Sequence, residues 1–476
     1  MSNIKFGTDG WRAIIGKDFT TQNVARAAQG TAAWLVKQGS RSAVIGYDCR
    51  FGGKLFAETV AKVMAANGIK SYISPGFVST PMVSLATKEL NAGVGVIITA
   101  SHNPPDYNGF KLKGAYGGPL LPEMIKEVEG LIPGVSSEDA DKASLADLIK
   151  EGLAEYSDFE DLYYRKVVNK FDLQAIKNSG LHFAYDAMYG AGQKIMRRIL
   201  PDITLLHCTW NPLFNNTPPE PLLKNLGEFS FLIRKQKNIA CGLATDGDAD
   251  RLGLMDSRGN FIDSHHIILL LVHYLCKYKL SPPELNSGLK VVTAFSTTTK
   301  LKRLCDHYGL QLNVVPIGFK YICDIILREK DKVLLGGEES GGIALRGHIP
   351  ERDGIWVGLT LWEFMAKSGK TLKELIKEVY SITGPFVFAR NDMHIDGERK
   401  EKVIDNCKSG KFDSFGKFKV KRTEDMDGWK YFINDDEWIM VRPSGTEPLL
   451  RIYAEAENSK KVQELIKAGV ESVMKS

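Results

Sequence analysis

The sequence predicts an α/β protein of several domains that closes with a segment of a different, α+β kind. Three observations carry this expectation. Apolar strand patterns alternate with helical patterns as far as about Gly384, and each of several strands opens into a Gly- or Asp-rich loop. Beyond that point, short alternating stretches lead to a single C-terminal helical pattern. A chain of 476 residues is long enough for about three or four domains with their own cores.

The elements follow in order. Ser42 to Asp48 reads as a strand and leads to a helix over roughly Leu55 to Asn67, and Gly93 to Thr99 is a buried strand that ends at Ser101. Leu181 to Asp186 precedes a helix over Gln193 to Leu200, and Ile239 to Ala244 runs into Asp246-Gly247-Asp248-Ala249-Asp250. Leu289 to Phe295 precedes a helix near Thr299 to Tyr308, and Val333 to Leu335 runs into Gly336-Gly337-Glu338-Glu339-Ser340-Gly341-Gly342. In α/β sheets, ligands gather at the carboxyl ends of strands, which is where these loops fall. Phe386 to Arg390, Phe418 to Arg422 and Trp438 to Val441 alternate at strand period, and Ser459 to Met474 closes the chain as a helix. The Pro-, Ser- and Asp-rich stretch Ile132 to Ala143 reads as a linker or surface loop.

Composition narrows the function. Hydrophobic residues make up 43% and charged residues 25%, as in an ordinary globular protein. A net charge of +5 is far below that of a dedicated nucleic-acid binder, so no nucleic-acid partner is expected. Lys417 to Arg422 alternates basic and apolar residues and reads as a solvated strand face. Seven scattered cysteines without a CxxC pair fit a reducing, cytoplasmic setting rather than a disulfide or zinc scaffold. There is no apolar signal core at the N-terminus and no run long enough to span a bilayer, so no membrane association is expected. His265-His266 reads as a helix start rather than a metal site.

Three motifs carry chemistry. Asp246, Asp248 and Asp250 crowd about three negative charges into one turn, which calls for a cation, and all-oxygen ligands favour Mg²⁺ or Ca²⁺. An EF-hand is excluded, because its sixth position is Arg251 and its twelfth Ser257. Arg251 repels a cation but suits a phosphate lying between them. Ser101, in the polar turn Ser101 to Gly109, can accept a phosphoryl group whose oxygens a metal would hold, although Ser-His-Asn runs also occur as capped turns. Arg442-Pro443-Ser444-Gly445-Thr446-Glu447 with Arg451 offers guanidiniums, hydroxyls and a flexible backbone to a phosphate, or is a hairpin turn. No Gly-x-Ser-x-Gly elbow, Walker loop or kinase set is present, which disfavours serine hydrolases and nucleotide-driven transfer.

In this order, the motifs closely resemble the α-D-phosphohexomutase superfamily over essentially the whole chain. Phe6 to Arg12 is similar to its N-terminal signature, Thr99 to Pro104 to its phosphoserine loop and Thr245 to Arg251 to its metal loop. Gly337 to Gly342 resembles its sugar loop, and Arg442 to Arg451 its phosphate loop. The resemblance implies four domains around a central cleft: three similar α/β domains with mixed sheets at 1–150, 151–258 and 259–380, and an α+β domain with an antiparallel sheet at 381–476. It implies a phosphorylated Ser101, and one Mg²⁺ held by Ser101, Asp246, Asp248 and Asp250. Arg12, Lys111 and Arg251 would surround the reacting phosphate, with Lys111 or His102 as the proton acceptor. Lys320, Glu338 and Ser340 would bind the sugar, and Arg442, Ser444, Gly445, Thr446 and Arg451 the non-reacting phosphate.

The implied reaction interconverts hexose 1-phosphates and 6-phosphates through a bisphosphorylated sugar, with glucose 1,6-bisphosphate as activator and intermediate. Gly318-Phe319-Lys320 with Gly337-Glu338-Glu339-Ser340 resembles the phosphoglucomutase branch more than the phosphomannomutase or phosphoglucosamine mutase branches. Gly342 stands where dual-specificity relatives often have His, and Ala13 where glycine is common. The expected partner is a small sugar phosphate, and the expected assembly a monomer or homodimer. Competing readings are a phosphatase, a haloacid-dehalogenase-type enzyme (disfavoured by Ala249-Asp250 after Asp246-Gly247-Asp248) and a non-catalytic Mg²⁺-binding scaffold.

Overall fold

The computed structural model describes residues 4–135, 143–444 and 449–475. The chain forms two compact units, residues 1–274 with 318–375 and residues 275–317 with 376–476.

The first unit contains two mixed sheets. One runs in the order Trp11–Ile14, Tyr107–Gly114, Val94–Ile98, Ser42–Tyr47, Lys70–Ile73, Ala154–Tyr156, with Gly118–Pro119 paired to Tyr107–Gly114. Ser42–Tyr47 lies parallel to both of its neighbours, whereas Tyr107–Gly114 runs antiparallel to Val94–Ile98. Every residue of Val94–Ile98 is buried, as expected for a strand covered on both faces. Helices Thr21–Lys37, Gly53–Ala66 and Thr80–Glu89 flank it. The last starts sharply, because the Ser79 hydroxyl accepts from Met82 N and Pro81 sits in its first turn.

The second sheet has the order Phe261–Ile262, Leu252–Asp256, Ile239–Thr245, His182–Asp186, Thr204–Leu206. Its three inner and outer parallel strands deliver their carboxyl ends to one edge, and Leu252–Asp256 returns antiparallel from the Asp246 loop. The unit also holds the antiparallel hairpin Val333–Gly337 with Ile343–Leu345 and the buried helix Gly354–Ser368. Helix Ser264–Tyr274 does begin at the His265-His266 pair, where His266 Nδ1 lies 2.7 Å from Asp263 Oδ1.

The second unit contains the parallel pair Lys290–Ala294 and Gln311–Val315 and a five-stranded antiparallel sheet. That sheet runs Val387–His394, Leu449–Ala456, Trp438–Pro443, Trp429–Phe432, Arg422–Glu424. Helix Ser459–Lys475 lays Val462, Leu465, Ile466 and Val473 on Ile439, Val441, Leu450 and Ile452. Each such side chain contributes about 2 kcal/mol by leaving water. The antiparallel α+β ending thus agrees with the sequence.

Lys417 to Arg422 is not one strand. Phe418–Lys419 pairs with Ser414–Phe415, whereas Arg422–Glu424 joins the sheet edge. Val420 N donates to Asp413 O and Lys421 N to Phe432 O, so consecutive residues bond to different neighbours and the chain must bend. Part of the expected linker, 136–142, lies outside the described residues. All seven cysteines are buried and free, and among the described residues no helix is long and apolar enough to cross a membrane.

Candidate active site

The site lies in the first unit, where two strand ends meet. Ile239–Thr245 runs out into residues 246–251, and the pair Thr245↔Leu252 closes that loop. Asp246, Asp248 and Asp250 are wholly buried, and one oxygen of each lies within 4.8 Å of the others. Asp246 Oδ1 accepts from Arg251 N at 3.0 Å and its Oδ2 from the Ser101 hydroxyl at 2.6 Å. Asp248 Oδ2 accepts from the Thr80 hydroxyl at 2.6 Å and Lys111 Nζ at 2.8 Å. Asp250 Oδ2 accepts from Arg352 at 2.6 Å and Lys111 at 3.4 Å.

The second oxygens of Asp248 and Asp250 are buried without a hydrogen-bond partner. An orphaned buried carboxylate oxygen is costly, and here two lie in one three-carboxylate cluster. This donor set fits a hard divalent cation bound through oxygen. The expected ligands Ser101, Asp246, Asp248 and Asp250 therefore come together.

Ser101 follows the buried strand Val94–Ile98, is itself buried, and has a left-handed backbone with φ of 52°. Its Oγ lies 3.3 Å from His102 Nδ1. Arg12 reaches the same loop, donating to Asn103 Oδ1 at 2.6 Å. Trp11–Ile14 and Tyr107–Gly114 pair so that Arg12 stands opposite Gly109, two residues from Lys111. A Cβ on Gly109 would sit 2.4 Å from Thr99 O, so glycine lets the strand close against the serine loop.

The hairpin Val333–Gly337 with Ile343–Leu345 presents the expected sugar loop beside the acidic one. Arg251 and Gly342 form a β-bridge, and Leu252 N donates to Gly341 O. Glu338 Oε1 accepts from Gly318 N at 3.0 Å, and its Oε2 lies 3.9 Å from Arg352. Ser340 is half-buried in the turn. Lys320 lies at the start of helix Phe319–Glu329 with its ammonium 5.4 Å from the Tyr321 ring centre.

The remaining expected residues belong to the second unit. Arg442 and Arg451 are direct partners on neighbouring antiparallel strands. Arg442 Nε donates to Asp427 at 3.1 Å, Arg451 Nε lies 3.8 Å from Asp392, and Lys400 donates to Ser444 O at 2.5 Å. Gly445 and Thr446 lie outside the described residues.

Charges in the first-unit cluster push one another strongly. Burial and then the neighbouring Asp248 and Asp250 raise Asp246 well above the usual carboxylate range. Burial acts the same way on Asp248, but Lys111 and the Thr80 hydroxyl overcome it and hold that group low. Burial would lower Lys111, yet Asp248, Asp9 and Asp250 outweigh it and keep the ammonium protonated. His102 is held well below its usual value by burial, then by Arg251 and Arg12, and is therefore neutral. Burial raises Glu338 to about 7 against the pull of Arg352.

Sequence reasoning missed Arg352. Its NH2 donates to both Asp9 and Asp250 at 2.6 Å. Arg352 also fills the space beside Gly342, where a Cβ would lie 2.3 Å from its Cδ. No histidine fits at 342 while Arg352 lies there. The available signal was the charged run Glu351-Arg352-Asp353 immediately before a buried apolar helix. Asp9, also unassigned, receives Lys111 at 2.8 Å as well as Arg352.

Comparison with known proteins identifies the family. The α/β/α domain I, II and III models of phosphoglucomutase/phosphomannomutase match residues 3–139, 161–259 and 263–382, and its C-terminal domain model matches 417–472. A Thermococcus kodakarensis phosphoglucomutase/phosphomannomutase is 29% identical, over 98% of this chain and 97% of its own. A Carboxydothermus hydrogenoformans phosphoglucosamine mutase is 30% identical, over 97% of each chain. A solved Thermus thermophilus structure that carries the name phosphomannomutase superposes with a TM-score of 0.85 at 31% identity, over 99% of each chain.

Proposed function

The chain belongs to the phosphoglucomutase/phosphomannomutase family, an isomerase of the intramolecular phosphotransferase kind, and on that premise we propose that it interconverts glucose 1-phosphate and glucose 6-phosphate. The observation that carries the reading is the Ser101 hydroxyl, 2.6 Å from Asp246 in a buried ring of three aspartates. Ser101 is a reusable phosphate carrier. It donates its phosphoryl group to one sugar hydroxyl and takes back the other phosphate after the bisphosphorylated sugar has reoriented.

Ser101, Asp246, Asp248 and Asp250 would hold Mg²⁺, which when bound neutralises charge on the phosphoryl oxygens. Asp9, Asp248 and Asp250 lie within ion-pair distance of Arg12, Lys111, Arg251 and Arg352. A divalent cation and a phosphoryl group of about −2 would enter together with little net change of charge. Arg12, Arg251, Lys111 and Arg352 oppose the charge that spreads over the transferring group. Lys111, locked among three aspartates, acts as a cation. His102, whose Nδ1 lies 3.3 Å from Ser101 Oγ, would accept the hydroxyl proton.

Glu338 and Ser340 would accept from or donate to sugar hydroxyls, with Lys320 at the same loop's flank. In the other unit, Arg442 and Arg451 stand directly opposite each other on neighbouring strands. With Ser444, Gly445 and Thr446 they would grip the non-reacting phosphate. A grip on the second phosphate matters only when the sugar turns around, which favours a mutase over a phosphatase. Glucosamine 1-phosphate is the second reading, supported by the relative named phosphoglucosamine mutase.

The test is a coupled assay of glucose 1-phosphate, mannose 1-phosphate and glucosamine 1-phosphate with Mg²⁺ and a trace of glucose 1,6-bisphosphate. The glucose reading expects the highest kcat/KM for glucose 1-phosphate. A higher value for glucosamine 1-phosphate replaces glucose by glucosamine, and release of free phosphate from all three sinks the mutase reading.

A further inference from the structure

One buried guanidinium binds four backbone carbonyls between Ser101 and Tyr107. Arg50 follows the strand Ser42–Tyr47 and is only 3% exposed. Its NH2 donates to Ser101 O at 2.7 Å and Asn103 O at 2.6 Å, and its NH1 to Pro104 O at 2.7 Å and Tyr107 O at 3.0 Å. Four carbonyls of a single turn thus converge on one side chain. The Phe214 ring lies beside the guanidinium, its centre 4.9 Å from Cζ.

Asp48 completes the clamp. Its Oδ2 lies 3.4 Å from Arg50 Nε, and its Oδ1 accepts from Arg50 N at 2.9 Å. The Thr99 hydroxyl donates to Asp48 and accepts from Ser101 N at 2.9 Å. Both backbone polar groups of Ser101 are therefore tied, its carbonyl to Arg50 and its amide through Thr99 to Asp48. A non-glycine residue adopts the left-handed region at a cost of about 1–2 kcal/mol, so these ties hold a conformation that the residue alone disfavours. There is little slack on the other side, since a Cβ on Gly247 would come within 2.4 Å of Ser101 O.

We propose that Arg50 is a positioning residue for phosphoryl transfer: its four-carbonyl clamp aims Ser101 Oγ at the aspartate ring, although its hydrogen bonds go to none of the three aspartates. The inference rests on reading Ser101 as the phosphate carrier. Lysine cannot substitute, because a single ammonium lacks the planar fork that spans two pairs of carbonyls. A misplacement of about 1 Å at a reacting atom costs on the order of a hundredfold in rate.

The experiment compares wild type, Arg50→Lys and Arg50→Ala in the coupled assay, with circular dichroism as a folding control. The ³¹P resonance of phosphorylated Ser101 is recorded alongside. Arg50→Lys is expected to lose about a hundredfold in kcat with KM within about twofold, and its phosphoserine resonance to broaden or split. Methylguanidinium is expected to restore at least about tenfold of the activity of Arg50→Ala. Wild-type kcat in Arg50→Lys, or a loss expressed only in KM, overturns the proposal. Failure of both variants to fold makes Arg50 a folding residue and overturns it too, and a folded Arg50→Ala that methylguanidinium does not rescue also overturns it. Inactivity of the wild type toward all three sugar phosphates refutes the mutase reading instead.

Discussion

Ser101 departs from ordinary backbone geometry at the position where the chemistry is proposed, and the departure has a use. The left-handed turn buries the residue yet leaves its hydroxyl 2.6 Å from Asp246. Ser101→Ala is expected to lower kcat by at least about a thousandfold with an unchanged circular dichroism spectrum. Wild-type turnover in that variant would remove Ser101 from the mechanism. Asp248 has one oxygen committed to Thr80 and Lys111 and one without a partner. Asp248→Asn should therefore weaken Mg²⁺ binding by at least about tenfold in titration calorimetry. Equal affinity would mean that the aspartate ring is not the metal site. Ser101 and the aspartates were legible in the sequence, because turn formers and carboxylates crowd directly behind apolar strands. Arg352 and Arg50 were not. Arg352 meets Asp9 across 343 positions and Arg50 meets Ser101 across 51, and no local spacing encodes such a meeting.

Two side-chain clips, one buried and one partly exposed, join neighbouring elements. Lys113, on Tyr107–Gly114, donates to Glu351 at 2.6 Å, and Ser84 of helix Thr80–Glu89 donates to the same carboxylate at 2.9 Å. Both charged side chains are fully buried. Glu351→Leu strands the ammonium and should cost about 3–5 kcal/mol, read from urea unfolding, whereas adding Lys113→Met should recover most of the loss. Additive losses in the double variant would mean the pair is not coupled.

His207 joins the end of His182–Asp186 to helix Gly227–Gln236, with Nδ1 2.9 Å from Asp186 and Nε2 3.1 Å from Glu228. Burial would lower its pKa, but the two carboxylates overcome this and raise it. The stabilisation is therefore complete below the unfolded value of about 6.5 and is lost as pH rises through the higher folded value. The urea midpoint of wild type should fall with rising pH above about 6.5 more than that of His207→Asn. Parallel profiles would exclude the clip. Most of the named strands and helices were legible to within a residue or two, since apolar period marks them directly, but the strand expected at Phe386 to Arg390 runs on to His394, and the expected turn Ser101 to Gly109 ends in the strand Tyr107–Gly114. The break at Val420 was not, because alternation persists through Phe418 to Arg422 while the hydrogen-bond partners change.

For the whole molecule, the strand–loop–helix grammar gave way to an antiparallel ending, as the three mixed sheets and the five-stranded antiparallel sheet bear out. The order of the loops along the chain carried the family reading further than any one loop did, since each motif alone has a plain structural explanation. Substrate preference was not legible to the same degree. The departure at Gly342 leaves it open, and the space beside that residue is filled by Arg352 from ten positions further along the chain.

The central claim is that Ser101 passes its phosphoryl group to a sugar and recovers another. The most direct test loads Ser101 with isotopically labelled phosphate, removes free label, and adds unlabelled glucose 1-phosphate with Mg²⁺. The label is expected to leave the protein and appear in glucose 1,6-bisphosphate and glucose 6-phosphate while Ser101 stays phosphorylated with unlabelled phosphate. Label released as inorganic phosphate, or retained on the protein while product forms, would contradict it.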